Sequence, residues 1–395
     1  MQRSTYPVLR LKPGCDVHLR NRHRSIFRSA IASDAGCEDG AMVEVQNAQG
    51  KFLCYALFNR KAYITARAIA FEEGDPLASI RHAIEKAIHL RTILFQNEDT
   101  NAYRLINAEG DDIPGLVVDK YGDILVLRLT ILGMDRLRSF LADTLLELCH
   151  PTGIYEKSTG HSRSKEGLKL EEGWVRGNGS TRFTVRERGL QFSVELAGSQ
   201  KTGLFLDQRE MRSLVRQFAK GKIVLDCCSY VGGFSLSALS GGALAADAVD
   251  YDAAALQDAK SNMELNALPL ASFSTYKEDV FNFLRRKPLP QPYDFIILDP
   301  PSFAKRSADV EHARGAYTDL NRLALEALPK GSLLLTCSCS YHIDESLFRT
   351  IIFHASRQAG RSVQILSRHR EAADHPVNIC HPETEYLKSL LLWVE

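Results

Sequence analysis

The stretch Ile223-Val224-Leu225-Asp226-Cys227-Cys228-Ser229-Tyr230-Val231-Gly232-Gly233-Phe234 decides how the second half of this chain is read. Three aliphatic residues make a short buried strand, and the paired glycines let backbone approach a ligand closely where a helix begins. Further on, short apolar runs alternate with helical segments: Ala245 to Val249, Phe273 to Tyr276, Phe295 to Leu298 and Leu333 to Leu335. That alternation belongs to a parallel sheet covered by helices. Two last strands, Val363 to Leu366 and Leu387 to Val394, have no long helical crossover between them, which predicts an antiparallel pair at one edge. The fold class is α/β, with a seven-stranded, helix-covered sheet over 190–395.

Upstream the period changes. Alternating runs at Met42 to Gln46, Phe52 to Leu57 and Tyr63 to Ile69, the first two split by Asn47-Ala48-Gln49-Gly50, predict hairpins of a small β-barrel over 1–75. Helical spacing of Leu77, Ile80, Ala83, Ile84, Ile88 and Leu90 behind Pro76 opens a middle α+β domain over 76–189. It continues through strand-like runs at Leu116 to Asp119 and Ile124 to Leu129 and a helix over Asp135 to Leu148.

Composition narrows the function classes. With 45% hydrophobic and 25% charged residues among 395, the chain has the balance of a folded globular protein. Lys and Arg number 49 against 48 acids, so whole-chain charge argues for neither nucleic acid nor membrane. No apolar run approaches the ~18 residues of a membrane span, and the N-terminus has no signal-peptide core, so a cytoplasmic protein without membrane partners is expected. Nine cysteines without C-x-x-C pairs read as reduced thiols, and no metal is expected. Local charge is informative: the first thirty residues hold seven basic side chains, among them Arg20, Arg22, Arg24 and Arg28, against the single acid Asp16. That asymmetry suits phosphate attraction, and equally a solvated domain edge.

In open α/β sheets ligands bind beyond the carboxyl ends of the strands. Here the strand ends carry Asp226, then Asp250, Asp279, Asp299-Pro300-Pro301-Ser302 and Thr336-Cys337-Ser338-Cys339-Ser340. Asp250, 24 residues beyond Asp226, suits the two hydroxyls of a ribose. The absence of G-x-G-x-x-G disfavours a dinucleotide and favours a nucleoside with little negative charge, such as S-adenosylmethionine. The prolines stiffen a loop whose carbonyls can grip a planar base. Cys339 then decides the chemistry. Cytosine C5 is a poor nucleophile until a thiolate adds at C6, whereas an exocyclic amine acceptor needs no thiol. Cys337 is expected to point elsewhere, into the core.

These motifs, with Lys201-Thr202-Gly203, Asp207-Gln208-Arg209, Ala373-Asp374-His375-Pro376-Val377 and the run Asn107 to Gly115, cover nearly the whole chain. On them the chain resembles the bacterial large-subunit rRNA cytosine-C5 methyltransferases, built from a PUA domain, a middle domain and a Rossmann-like methyltransferase domain. The resemblance implies S-adenosylmethionine held by Asp226, Tyr230, Gly232, Gly233, Asp250, Asp279 and Asp299, with Lys201, Thr202, Asp207, Gln208 and Arg209 closing over it. It implies Cys339 as nucleophile, Asp299 beside the base, and RNA contact through Arg20, Arg22, Arg24 and Arg28 of the PUA-like domain. The implied partner is 23S rRNA, free or in a large-subunit particle, and a homodimer is among the expected states. An extruded base would be needed inside folded RNA.

The chain departs from that pattern at three places. Arg22-His23-Arg24-Ser25 stands where relatives read Arg-His-Pro-Trp, Val231 replaces a Thr, and Ser302 stands where another branch carries a second Cys. Proton handling is left to Lys305 or Asp299. Two other functions stay open: methylation of an exocyclic amine such as guanine N2, and a non-catalytic RNA-binding role in ribosome assembly.

Overall fold

The computed structural model describes residues 6–198 and 203–395, which form two compact units. The first comprises residues 1–188, 194–203 and 373–384, and the second 189–193, 204–372 and 385–395. Among the described residues no helix is long and apolar enough to cross a membrane.

The first unit holds two sheets. A six-stranded sheet contains the three expected strands, Met42–Gln46, Phe52–Phe58 and Ile64–Ala70, and adds Val8–Leu11, parallel to Met42–Gln46. Alternate residues Val43, Val45, Cys54, Ala56, Ala66 and Ala68 fill its core with Leu9 and Leu11. The helix Pro76–Phe95 starts as its sequence dictates, with Asp75 accepting the Leu77 N–H at 2.9 Å and proline in the first turn. Its Ile80, Ile84 and Ala87 share a core with a five-stranded sheet through Leu116, Val118, Leu125 and Leu127. The single helix expected over Asp135 to Leu148 is two, Leu132–Arg136 and Arg138–Cys149, interrupted at Leu137.

The C-terminal segment Ala373–Thr384 packs in this first unit, outside the sheet that flanks it in sequence. Arg91 is wholly buried, grips both carboxylate oxygens of Asp111 at 2.6 and 2.7 Å, and donates to the Asp374 carbonyl at 2.8 Å. The Asp374 carboxylate accepts the Arg104 N–H at 2.8 Å, and Asn107 donates to the Pro376 carbonyl at 3.1 Å. A methyl group on Gly110 would sit 2.0 Å from that carbonyl, so only glycine admits the segment.

The second unit is the expected α/β layer. Numbered in chain order, its strands are Ile223–Cys227, Ala245–Asp250, Phe273–Lys277, Phe295–Leu298, Ser332–Ser338, Val363–His369 and Lys388–Val394, arranged 3-2-1-4-5-7-6. The first five are parallel, and the seventh runs antiparallel to both its neighbours, giving the predicted edge. Leu225, Ile296, Leu298 and Leu334 pack under Tyr317, Leu320 and Ala324 of the helix Val310–Ala327 and under Phe348 and Ile352 of the helix Glu345–Gln358.

Candidate active site

Strand one delivers Asp226 fully buried at its end. Asp226 Oδ2 accepts the Ser235 N–H at 2.9 Å and the Ser235 hydroxyl at 2.8 Å, while Oδ1 is buried without a partner. Burial pushes the carboxyl up to about 7 against the opposing pull of Ser235, and nearby Asp250 adds to the rise. The loop that follows alternates left-handed residues: Cys228 (φ 61°), Tyr230 (φ 50°) and Gly232 (φ 73°). Two residues bulkier than glycine in that region cost roughly 1–2 kcal/mol each. The strain turns backbone N–H groups inward. Tyr230 donates to Asp250 Oδ2 at 2.9 Å, and Cys228 to the Val249 carbonyl at 2.9 Å. Gly232 N-caps the helix Gly233–Ser240, and a methyl there would lie 2.8 Å from the Ala259 Cβ.

Asp250 ends strand two nearly buried, its other oxygen accepting the Asp252 N–H at 3.0 Å. Each oxygen keeps a lone pair for a hydroxyl. Asp279 is exposed and N-caps the short helix Val280–Leu284, accepting the Asn282 N–H at 3.1 Å.

The fourth and fifth strand ends come together. Gln208 Nε2 donates to Asp299 Oδ1 at 2.9 Å, and Tyr386 donates to Asp207 at 2.6 Å. Arg209 is buried; Lys201 and Thr202 lie outside the described residues. Cys339 is partly exposed as a residue, and its sulfur lies 3.9 Å from the Pro300 carbonyl oxygen, so the thiol sits on the proline loop. Burial, then Asp299 and Asp207, push this thiol up to about 12. Cys337 is 0% exposed, in the core as expected, but it does not point away from Cys339: it lies on the Asp299 side, because residues two apart share one face of a strand. Depth separates the two thiols, since the strand ends at Ser338.

Sequence reading missed the hub of these loops. The Ser340 hydroxyl lies 3.0 Å from the Ser302 hydroxyl and 2.9 Å from the Tyr317 hydroxyl, and accepts the Ala304 N–H at 3.3 Å. The serines flanking Cys339 were the available signal.

The four N-terminal arginines part ways. Arg20, Arg22 and Arg28 are exposed and paired with Asp16, Glu72 and Asp34 at 2.5, 3.1 and 2.6 Å, pairs that solvent weakens. Arg24 is buried, with its guanidinium on the Ala68 and Ile69 carbonyls and on Asp112 at 2.7 Å, so it is a packing residue with no face left for phosphate. An aromatic pair adjoins Arg28: Phe27 and Tyr63, rings 5.5 Å apart, Tyr63 85% exposed.

Among the described residues, His23, His381 and Glu383 have metal-ligand composition. The outer ring nitrogens accept backbone N–H groups, from Ser25 to His23 at 3.3 Å and from Arg24 to His381 at 3.0 Å. Both imidazoles therefore spend their own protons on Glu383, at 3.0 and 3.2 Å, and the cluster closes as a hydrogen-bond network.

Acids and a left-handed loop at the strand ends of an α/β sheet are the setting in which nucleosides bind, and the comparisons with known proteins agree with that class. The profile of the S-adenosylmethionine-dependent methyltransferases matches residues 166–389, and that of the PUA-like domain matches residues 9–71. The chain belongs to the S-adenosylmethionine-dependent methyltransferase family, and S-adenosylmethionine is its cofactor. It is 36% identical over 389 residues to the ribosomal RNA large subunit methyltransferase I of Salmonella arizonae, covering 97% of this chain and 96% of that one. The protein of that name from Escherichia coli is 37% identical over 383 residues, covering 96% and 97%. A solved methyltransferase complexed with SAH superposes with a TM-score of 0.83 at 25% identity, over 98% of this chain and 99% of that one. A SAM-dependent methyltransferase from Streptococcus mutans gives 0.82 at 25% identity over the same shares.

The residues present fit the cofactor. Asp226 Oδ1, Ser229 Oγ and Gln208 Oε1 are buried acceptors lacking partners, which N–H and O–H donors of a nucleoside amino acid would satisfy. A carboxylate-lined site also suits its cationic sulfonium.

Proposed function

We propose that this protein methylates C5 of a cytosine in large-subunit rRNA, with Cys339 as covalent nucleophile. The observation that carries the reading is the Cys339 sulfur 3.9 Å from the Pro300 carbonyl, on a partly exposed residue beside Asp299. The substrate class follows from relatives bearing the rRNA name over almost the whole chain, and from the exposed Arg20, Arg22, Arg28 and Tyr63.

Bound S-adenosylmethionine supplies an electrophilic methyl group. The chain's residues do the rest. Asp250 takes the ribose hydroxyls, and Asp226, Tyr230, Gly232 and Gly233 shape the loop around the amino-acid end. Asp299, fixed by Gln208, faces the base. The Cys339 thiolate adds to C6 of the cytosine and pushes the C5–C6 electron pair onto C5, which forms its new bond to the methyl group. A base then takes the C5 proton, the freed pair re-forms the C5–C6 double bond, and the C6–S bond breaks with its electron pair returning to sulfur. The base is held out of its stack between the proline loop and the Cys339 loop.

Trapping tests this. RNA carrying 5-fluorocytosine has no C5 proton to lose, so a stable adduct should form with the wild type and not with Cys339→Ala. Full methylation by Cys339→Ala would remove the thiol from the mechanism; a methylated guanine N2 in the product would redirect it to an amine. Absence of S-adenosylmethionine binding in calorimetry would leave a binding role only.

A further inference from the structure

A nucleophile that burial and two carboxylates keep protonated needs a counter-charge. The second unit has a buried lysine that the reaction above does not use. Lys388 opens strand seven, opposite Ser338 in the ladder, and is 4% exposed. Its ammonium donates to the Ser340 carbonyl at 2.7 Å and to the Tyr386 carbonyl at 2.6 Å. One of these carbonyls belongs to the residue after Cys339. The other belongs to the residue whose hydroxyl holds Asp207, so the ammonium ties both segments around the sulfur.

We infer that Lys388 is a positioning residue for Cys339: it fixes the Ser340 backbone and supplies the positive charge that stabilises the Cys339 thiolate. The inference rests on Cys339 as nucleophile. Ionisation is heterolysis of the S–H bond, with the proton leaving to a solvent base and the electron pair staying on sulfur; Lys388 keeps its protons. The charges around the pair are Asp299 and Asp207 on the sulfur side, with the Tyr317 hydroxyl and Cys337 close by. On the lysine side stand Glu371, Arg370 and Asp344. Sulfur and ammonium each favour the other's charged form. Burial pulls the ammonium down to about 8, so its support is present at neutral pH and fades above it.

The test needs neither RNA nor cofactor, so it is independent of the base methylated. The full chain is alkylated with iodoacetamide from pH 6 to 10, and modification of the Cys339 peptide is followed by mass spectrometry, with the Cys380 peptide as internal reference. Lys388→Met and Lys388→Gln should slow Cys339 about tenfold or more at pH 7, equivalent to an upward move of about one pH unit. Cys380 should not change, and Lys388→Arg should recover most of the rate. Wild-type Cys339 reactivity in folded Lys388→Gln overturns the inference, as does an arginine variant no better than the neutral ones. Should the neutral variants not fold, the wild-type profile decides. Coupled ionisation gives a curve shallower than a single site, and a single-site curve refutes the coupling.

Discussion

Replacing Asp226 by Asn should change the pH dependence of stability in a direction the structure fixes. The carboxyl is wholly buried, and its pKa is raised to about 7 from an ordinary 3.8. A group raised on folding contributes stability that is complete below its unfolded pKa and is lost as pH rises through its folded one. The window here runs from about 4 to about 7. Integrated across it, wild type loses on the order of 4 kcal/mol, of which about 2–3 kcal/mol falls between pH 5 and 8. Asparagine keeps the volume and an oxygen for the Ser235 donors. Its amide faces the place where Oδ1 has no partner, a fixed cost of about 1–3 kcal/mol at every pH. The variant should therefore be clearly less stable than wild type at pH 5, with the gap narrowing by about 2–3 kcal/mol, or roughly 5–10 °C in melting temperature, by pH 8. Urea unfolding of both proteins at five pH values measures it. A gap constant to within about 0.5 kcal/mol would show that Asp226 is ionised throughout, and that burial does not govern it.

Asp250→Ala removes the acceptor of the Tyr230 and Asp252 N–H groups and the proposed ribose contact, so calorimetry should give S-adenosylmethionine affinity weaker by about tenfold or more. Tyr317→Phe deletes one spoke of the Ser340 hub. It should cost about 1 kcal/mol in denaturant melts and slow 5-fluorocytosine adduct formation, with cofactor affinity unchanged. Arg24→Ala should destabilise by roughly 2–4 kcal/mol, since it takes the buried donor away from the Ala68 and Ile69 carbonyls, while Asp112 keeps Asn378 at 2.9 Å. Arg28→Ala should leave stability near wild type and lower the salt slope of RNA affinity by about 1.

The sequence made the strand ends legible because their signals are local. A short apolar run, a turn former and two glycines specify a strand, a loop and a helix start without reference to distant chain. The same locality hid what lies across the sheet. Asp279 fits the pattern of a strand-end acid, yet its carboxylate caps a helix, a bond between neighbours that the pattern also permits. Arg24 shares a basic run with Arg22 and Arg28, but which of them turns inward depends on Asp112, far along the chain. Lys388 and Ser340 meet only because strand seven pairs antiparallel with strand five. Tyr317 reaches Ser340 from the middle of an 18-residue helix, where a buried tyrosine looks like any other core aromatic.

The return of residues 373–384 to the first unit bears on how this polypeptide can be dissected. A fragment starting at residue 189 would carry the Ala373–Thr384 segment without Arg91, Arg104, Asn107 or Arg24. Asp374 and His381, wholly enclosed in the intact molecule, would then be left as dangling polar groups on a twelve-residue flap open to proteases. Truncation or gene fusion that treats the catalytic half as a detachable cassette has to excise that flap or bring its cradle along.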